Sequence, residues 1–362
     1  MTKTTAYIGL GSNLGDRQGF INKAVEMLRQ TADIEVTGIS NLLETTPLME
    51  SEQPKYINTV AQIKTWLSPE NLFAKLQDIE NLLGRTRSEK WESRTIDLDL
   101  LLFDSQIINT PKLVVPHPQM HLRSFVLKGL CCFDADFIHP VLEETLSELA
   151  FRLNNANFTL NPDIPQLISI AGIIGVGKTT LAEKLSEVFN AKILFEPYDT
   201  NPFLPAVYAG NKDLALDSQL YFLTKRVNQL NPDNLEKGCI VISDYVFNKE
   251  VIYAKRLLND RQLTLYQEIY KNLCTKVTQP VLVLYLKDSA ENCLDRIRKR
   301  NRPYEQKIQP DFLKALAADH EVLFADWKIC PVIRIQKSKF DCRRGEHISH
   351  LVKQIKAYVA GL

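Results

Sequence analysis

Gly172-Ile173-Ile174-Gly175-Val176-Gly177-Lys178-Thr179 decides how this chain divides and how its second half folds. It meets the pattern G-x-x-x-x-G-K-[ST] at every fixed position. Before it runs Leu167-Ile168-Ser169-Ile170-Ala171, an apolar segment that reads as a buried strand. After it, Leu181, Leu185 and Val188 fall at helical spacing. Strand, glycine loop and helix in that order make a phosphate-binding P-loop. Gly172, Gly175 and Gly177 let backbone N–H groups approach phosphate oxygens, and the helix N-terminus adds a positive dipole end. Lys178 reaches toward the β/γ-phosphates of ATP, the Thr179 hydroxyl suits Mg²⁺, and Thr180 completes the expected ATP-binding set.

A P-loop usually ends the first strand of its domain, so the residues before it form a separate domain. The predicted division is a first domain over 1–153, a linker over 154–165 and a second domain over 166–362. The linker stretch is rich in Asn and Pro and lacks helical periodicity.

Composition narrows the class. Hydrophobic residues make up 45% and charged residues 24%, as in ordinary globular proteins. A net charge of +1 gives no overall field that would recruit nucleic acid or membrane, so local clusters must bind any anion. Apolar runs all fall short of a membrane span. Met1-Thr2-Lys3-Thr4-Thr5 leads directly into an expected strand and lacks the pattern of a signal peptide. The seven cysteines show no C-x-x-C spacing, although Cys239 falls in an apolar strand. Reduced thiols and a cytoplasmic location are expected.

Beyond the P-loop helix, strands are predicted over 192–195, 238–244, 281–286 and 331–335, separated by helical stretches. The alternation predicts an α/β domain with a parallel five-stranded sheet covered on both faces. Ligands in such sheets sit at the carboxyl ends of strands, where Glu196 and Asp244 both fall. One suits a general base and the other a metal or water ligand; the bland alternative is helix capping. Arg296 and Arg300 are four apart on a helix, with Arg302 at its end. They read as a lid that closes over phosphates, or as a solvated basic helix.

Further residues add a resemblance. Glu196-Pro197, Asn201-Pro202-Phe203-Leu204, Tyr208, Gln219 with Arg226 seven later, the Arg-rich lid and Glu305 resemble the deoxynucleoside kinase family, its deoxyadenosine/deoxyguanosine kinase branch in particular. The similarity covers most of 167–335. It implies that Glu196 is the base for a 5′-hydroxyl, and that Gln219 and Arg226 face the nucleobase. Tyr208 and Glu305 would bind the 3′-hydroxyl, leaving Asp244 to the metal. A homodimer through this half is expected from the resemblance alone. One departure matters: Ser243-Asp244-Tyr245-Val246-Phe247 stands where the family has an acid followed by Arg-Ser, so Tyr245 replaces an arginine. Glu250 stands where the family usually has aspartate.

In the first half, strands are predicted over 6–10, 34–43, 56–65 and 95–103, and helices after Asp16 and over 69–83. The order βαββαβ suggests a ferredoxin-like α+β sandwich. Asp97 and Asp99 lie two apart on a strand and point to one face, a good hard-cation pair. Arg85, Arg87, Lys90 and Arg94, with Trp91 among them, put positive charge beside it, as a polyphosphate needs. A solvated charged loop is the alternative.

Tyr7-Ile8-Gly9-Leu10-Gly11-Ser12-Asn13-Leu14-Gly15, Gln53-Pro54-x-Tyr56-Ile57-Asn58, the run 94–103 and Val115-Pro116-His117-Pro118 resemble the signatures of 6-hydroxymethyl-7,8-dihydropterin pyrophosphokinase. The resemblance spans about 7–153. It implies pyrophosphate transfer from ATP to a pterin hydroxymethyl group, with AMP released, in folate biosynthesis. By matching motif, Asp97 and Asp99 would hold two Mg²⁺ ions. Tyr56 and Phe125 would stack on the pterin, and Thr45 and Asn58 would bond its edge. Arg85, Arg87, Trp91, Arg94, His117 and Arg123 would line ATP or the loop over it. Lys90 stands where the family often has arginine.

The chain thus reads as a bifunctional ATP-dependent transferase: a pyrophosphokinase fused to a deoxynucleoside kinase, both acting on small molecules. The alternatives for the second half are a non-catalytic nucleotide-binding or regulatory domain and a nucleoside monophosphate kinase.

Overall fold

A computed structural model describes residues 3–48, 53–85 and 93–361. Two compact units emerge, Met1–Thr159 and Leu160–Leu362. The stretch 154–165 is shared between them. Phe158 N–H donates to the Leu122 carbonyl and Asn157 Oδ1 accepts from Ser124 N–H, within the first unit. Gly238 N–H donates to the Ile164 carbonyl within the second.

The first unit is built on β1 (Thr4–Ser12), flanked antiparallel by β4 (Tyr56–Thr65) and β5 (Asp97–Phe103). β2 (Ile34–Ile39) completes the order β2-β4-β1-β5, and β3 (Leu43–Thr45) also pairs with β4. This is the ferredoxin-like α+β arrangement. Helix α1 (Arg17–Gln30) starts at Asp16, whose carboxylate accepts from Gly19 N–H at 2.9 Å. Helix α2 (Pro69–Leu82) starts at Ser68, with Pro69 in its first turn. Side chains alternate across β1. Ala6, Ile8 and Leu10 pack with Ile21 and Leu28 of α1 and Leu72 and Leu76 of α2. Tyr7 points the other way, toward Phe133 and Phe137.

A short hairpin, β6 (Ile108–Asn109) and β7 (Val114–Val115), precedes α3 (Ser124–Asp134) and α4 (Leu146–Leu153). Gly129 lets α3 approach the sheet: a Cβ there would lie 2.4 Å from Val60 Cγ2.

Two strand boundaries differ from the sequence reading. The strand expected over 34–43 breaks after Ile39, because Ser40 Oγ takes the Val60 N–H at 2.9 Å and bonds the Thr59 hydroxyl at 3.1 Å. The strand expected from residue 95 begins at Asp97.

The second unit has five parallel strands in the order β12-β11-β8-β10-β9. They are β8 (Gln166–Ala171), β9 (Lys192–Leu194), β10 (Ile240–Ser243), β11 (Leu282–Lys287) and β12 (Val332–Gln336). The helices are α5 (Lys178–Phe189), α6 (Leu204–Tyr208), α7 (Ala215–Gln229), α8 (Glu250–Leu257), α9 (Asp260–Leu273), α10 (Ala290–Arg300), α11 (Pro310–Ala325) and α12 (Gly345–Lys356). β8 is central and wholly buried, and it is apolar at every position but Gln166 and Ser169. β10 and β9 lie beside it in parallel, so the P-loop, Glu196 and Asp244 emerge at one sheet edge. Leu181 and Leu185 of α5 are buried, but Val188 is exposed. All seven cysteines are free, and Cys239 is exposed just ahead of β10 instead of within it. Among the described residues no helix is long and apolar enough to cross a membrane.

Candidate active sites

In the first unit, β5 presents Asp97 and Asp99 to a cavity of about 640 Å³, while Leu98 and Leu100 enter the core. Asp97 pairs with Arg94 at 2.8 Å and with Arg85 at 2.5 Å. Asp99 faces Arg123 at 3.3 Å and His117 at 3.9 Å. Burial, and then the Asp99 charge, push the Asp97 carboxyl up, while Arg94 and Arg85 oppose them. Burial would lower Arg94, but the charge of Asp97, Tyr56 and Asp99 and the hydrogen bond to Asp97 together raise it. Burial also lowers His117, against the charge of Asp99. Crowded carboxylates beside three arginines suit a cation carrying an anionic ligand. Among the described residues no group of three His, Cys, Asp or Glu side chains is placed to hold a metal ion.

Thr45, Tyr56, Asn58 and Phe125 line the same cavity. Asn58 Nδ2 donates to Thr45 Oγ1 at 2.8 Å, so one polar edge faces an aromatic-lined space. Arg87, Lys90 and Trp91 lie outside the described residues. Sequence reasoning missed Glu80, which is buried, pairs with Arg85 and accepts from Leu98 N–H at 2.7 Å. Burial raises its carboxyl to about 7, against the Leu98 N–H and Arg85. Its signal was a carboxylate on the apolar stripe Leu72, Leu76, Ile79 of α2.

In the second unit, Gly172, Gly175 and Gly177 all have positive φ. A Cβ on Gly175 would lie 2.5 Å from the Cys293 carbonyl oxygen. Lys178 Nζ donates to the carbonyls of Gly172 and Ile173, at 3.0 and 3.1 Å. Burial lowers its pKa, against the charges of Glu196 and Asp244. Thr179 Oγ1 donates to Asp244 Oδ2 at 2.6 Å, and Asp244 Oδ1 accepts from Glu196 N–H at 2.7 Å. Burial, then Glu196, raise the Asp244 carboxyl. Thr180 is exposed and does not line the cavity.

Glu196 is gripped at both oxygens, by Arg226 at Oε1 and by Lys249 at Oε2 over 2.6 Å. Burial alone would raise its carboxyl. Lys249, Arg226 and Lys178 outweigh that and hold it at about 2. Arg226 also pairs with Glu250, which accepts from Tyr266 Oη at 2.5 Å. The Arg226 guanidinium lies over Phe222 at 4.7 Å and Tyr245 at 5.4 Å. Gln219 and Tyr208 line the cavity, and Tyr208 stacks on Tyr304. Glu305 pairs with Arg300 at 2.6 Å and with Arg302 at 3.6 Å, and Arg302 covers the Tyr198 ring at 4.0 Å. Arg300 and Arg302 face the cavity. Arg296 instead donates to the Gly175 carbonyl at 2.8 Å and pairs with Asp288. With Arg300 and Arg302 so engaged, the cavity is about 80 Å³.

The sequence matches two family models: 7,8-dihydro-6-hydroxymethylpterin-pyrophosphokinase over residues 7–135 and deoxynucleoside kinase over 168–360. The 2-amino-4-hydroxy-6-hydroxymethyldihydropteridine pyrophosphokinase of Bacillus subtilis is 48% identical over 34% of this chain and 75% of its own length. The deoxyguanosine kinase of the same organism is 40% identical over 43% of this chain and 76% of its own. This chain belongs to both families. A 2-amino-4-hydroxy-6-hydroxymethyldihydropteridine pyrophosphokinase from Haemophilus influenzae is 37% identical over 44% of this chain and 99% of its own length. For the kinase unit, the structure of deoxyadenosine kinase from M. mycoides with bound dATP superposes at a TM-score of 0.46 with 24% identity, over 53% of this chain and 99% of that one.

Proposed function

We propose that this chain is a bifunctional ATP-dependent transferase. The pyrophosphokinase unit transfers pyrophosphate from ATP to the hydroxymethyl oxygen of 6-hydroxymethyl-7,8-dihydropterin and releases AMP. The kinase unit transfers the γ-phosphoryl group of ATP to the 5′-hydroxyl of a deoxynucleoside and releases ADP. One observation carries the reading: among the described residues, each unit has its own cavity with its own carboxylates and cations.

In the pyrophosphokinase unit, Tyr56 and Phe125 sandwich the flat pterin, and Asn58 with Thr45 reads its edge. Arg85, Arg94, Arg123 and His117 orient the triphosphate, together with Arg87 and Trp91. Asp97 and Asp99 fit two Mg²⁺ ions, which would neutralise phosphate charge when bound. Catalysis is then positioning and electrostatics, with no protein base needed.

In the kinase unit, the P-loop glycines, Lys178 and Thr179 hold ATP with Arg300 and Arg302. Thr179 and Asp244, already joined by a hydrogen bond, fit the Mg²⁺ that accompanies it. Glu196 holds the 5′-hydroxyl and takes its proton as the new O–P bond forms. A carboxylate held at about 2 is a weak base, but phosphoryl transfer asks little of one. Gln219 and Arg226 face the nucleobase, and Tyr208 and Glu305 the 3′-hydroxyl. A purine deoxynucleoside, deoxyguanosine first, is the preferred acceptor, on the similarity to deoxyguanosine kinase. A homodimer through this unit and a cytoplasmic location accompany the reading.

A second reading, nucleotide binding without turnover, draws on the cavity of about 80 Å³, far below the several hundred Å³ of a ligand pocket. The test is transfer of label from γ-labelled ATP to each of the four common deoxynucleosides. Labelled monophosphate that disappears with Lys178→Ala supports the kinase. ATP binding without product supports the second reading.

A further inference from the structure

Tyr245 occupies a position where an arginine was expected beside the acceptor hydroxyl, and its side chain cannot do that work. It is fully buried, its hydroxyl donates to Gln229 Oε1 at 2.8 Å, and it carries no positive charge. The chain then makes one 3-10 turn, Phe247–Lys249. That turn returns Lys249, four residues later, to the same place. Its Nζ meets Glu196 Oε2 at 2.6 Å, and its side chain is 4% exposed. Arg226 holds the other oxygen of the same carboxylate.

We propose that Lys249 is a positioning residue of the kinase reaction: it supplies the cation absent at position 245 and orients Glu196 toward the acceptor hydroxyl. The proposal rests on the kinase reading of this unit. Lys249 does not line the cavity, whereas Glu196 does, so Lys249 acts through Glu196 and not on the substrate.

Three features separate this from a chance buried ion pair. A buried lysine is costly unless paired, and here its one carboxylate partner is the side chain that faces the acceptor. Arg226 alone cannot hold Glu196 as firmly, because Glu250 competes for the same guanidinium. The Tyr253 and Tyr245 rings flank the ammonium, at 5.5 and 6.0 Å, and limit its swing. Glu196 thus has each oxygen assigned to a separate cation. Remaining lone pairs are free for an incoming hydroxyl.

The test compares K249M, K249Q and K249R with the parent and K178A in full-length protein. It measures kcat and KM for the deoxynucleoside at pH 7, and ATP binding by calorimetry. K249M and K249Q should lower kcat ~10²-fold, the scale of one lost charged contact to a reacting group, with ATP affinity within a few-fold of the parent. K249R should recover most of the loss, which a purely structural lesion would not allow. K249Q keeps an uncharged donor on a side chain one atom shorter, and K249M has that same length without a donor. If K249M and K249Q turn over like the parent, or K249R is as slow as both, Lys249 has no such role. A parent that binds ATP but phosphorylates no deoxynucleoside overturns the kinase reading itself, a distinct outcome.

Discussion

Thr179 and Asp244 are joined by a 2.6 Å hydrogen bond, although 65 residues separate them. The bond ties the first turn of α5 to the end of β10. It also points the Asp244 carboxylate at the loop that would carry ATP. Replacing Thr179 with Ala should raise the Mg²⁺ concentration needed for half-maximal phosphoryl transfer by ~10–100-fold, the usual cost of a lost metal-site partner. Titrating activity against Mg²⁺ at saturating ATP checks this; an unchanged midpoint would remove Thr179 from the metal site.

Arg226 and Glu250 form a buried pair that Tyr266 completes. Glu250→Ala leaves a buried guanidinium short of one counter-ion and a buried phenol without its acceptor. Breaking such a pair costs about 3–5 kcal/mol. Urea unfolding followed by signals of the kinase unit should show that loss, and the same substitution should alter the ranking of deoxynucleosides. A loss below about 1 kcal/mol would mean that Arg226 re-pairs fully with Glu196.

The pH dependence of the kinase follows from Lys249. Burial lowers its ammonium to about 8, with Glu196 opposing the fall and Arg226 and Lys178 adding to it. His320 on α11 also feels its charge. Above pH 8 the amine loses its proton, and with it the hold on Glu196. kcat should therefore fall as pH rises from about 7 to 9, and K249R should flatten that limb, because arginine keeps its charge. A limb unchanged in K249R would assign it to another group.

His320 gives a stability prediction with a definite sign. Burial depresses its imidazole from 6.5 to about 4, so the folded state holds it neutral. The unfolded chain binds that proton first, so the stability is present above pH 6.5 and is lost as pH falls toward 4. Melting of the kinase unit should drop across that window, and His320→Gln should reduce the slope. An equal slope in both proteins would place the acid sensitivity elsewhere.

Much of the fold was legible because local signals agreed. The run 167–171 was apolar at every position but Ser169, and its glycine loop and helix followed in order. The helix start at Asp16 was likewise written in a capping residue and periodicity, and that of α2 in Pro69. Where a side chain competes with the backbone, sequence misleads: Ser40 takes the Val60 N–H, and one long strand becomes two. Periodicity also assigns no face, so Val188 shares the spacing of Leu181 and Leu185 yet stays exposed.

The sites divided in the same way. Asp97 and Asp99 were readable because both chemistry and spacing lie within three residues. Lys249 was not, since its meaning depends on Glu196, brought beside it only when β9 and β10 pair. Arg296 was read with Arg300 as one lid face, but it turns to the Gly175 carbonyl and to Asp288.

The central claim is two independent reactions on one chain, and paired substitutions test it most directly. AMP release with hydroxymethyldihydropterin and monophosphate formation from a deoxynucleoside are measured for the parent, Asp97→Ala and Lys178→Ala, each full length. The parent should carry out both. Asp97→Ala should lose the first by ~10²-fold or more and keep the second, and Lys178→Ala should do the reverse. Loss of both activities from either substitution, or a parent with only one, would contradict two independent sites.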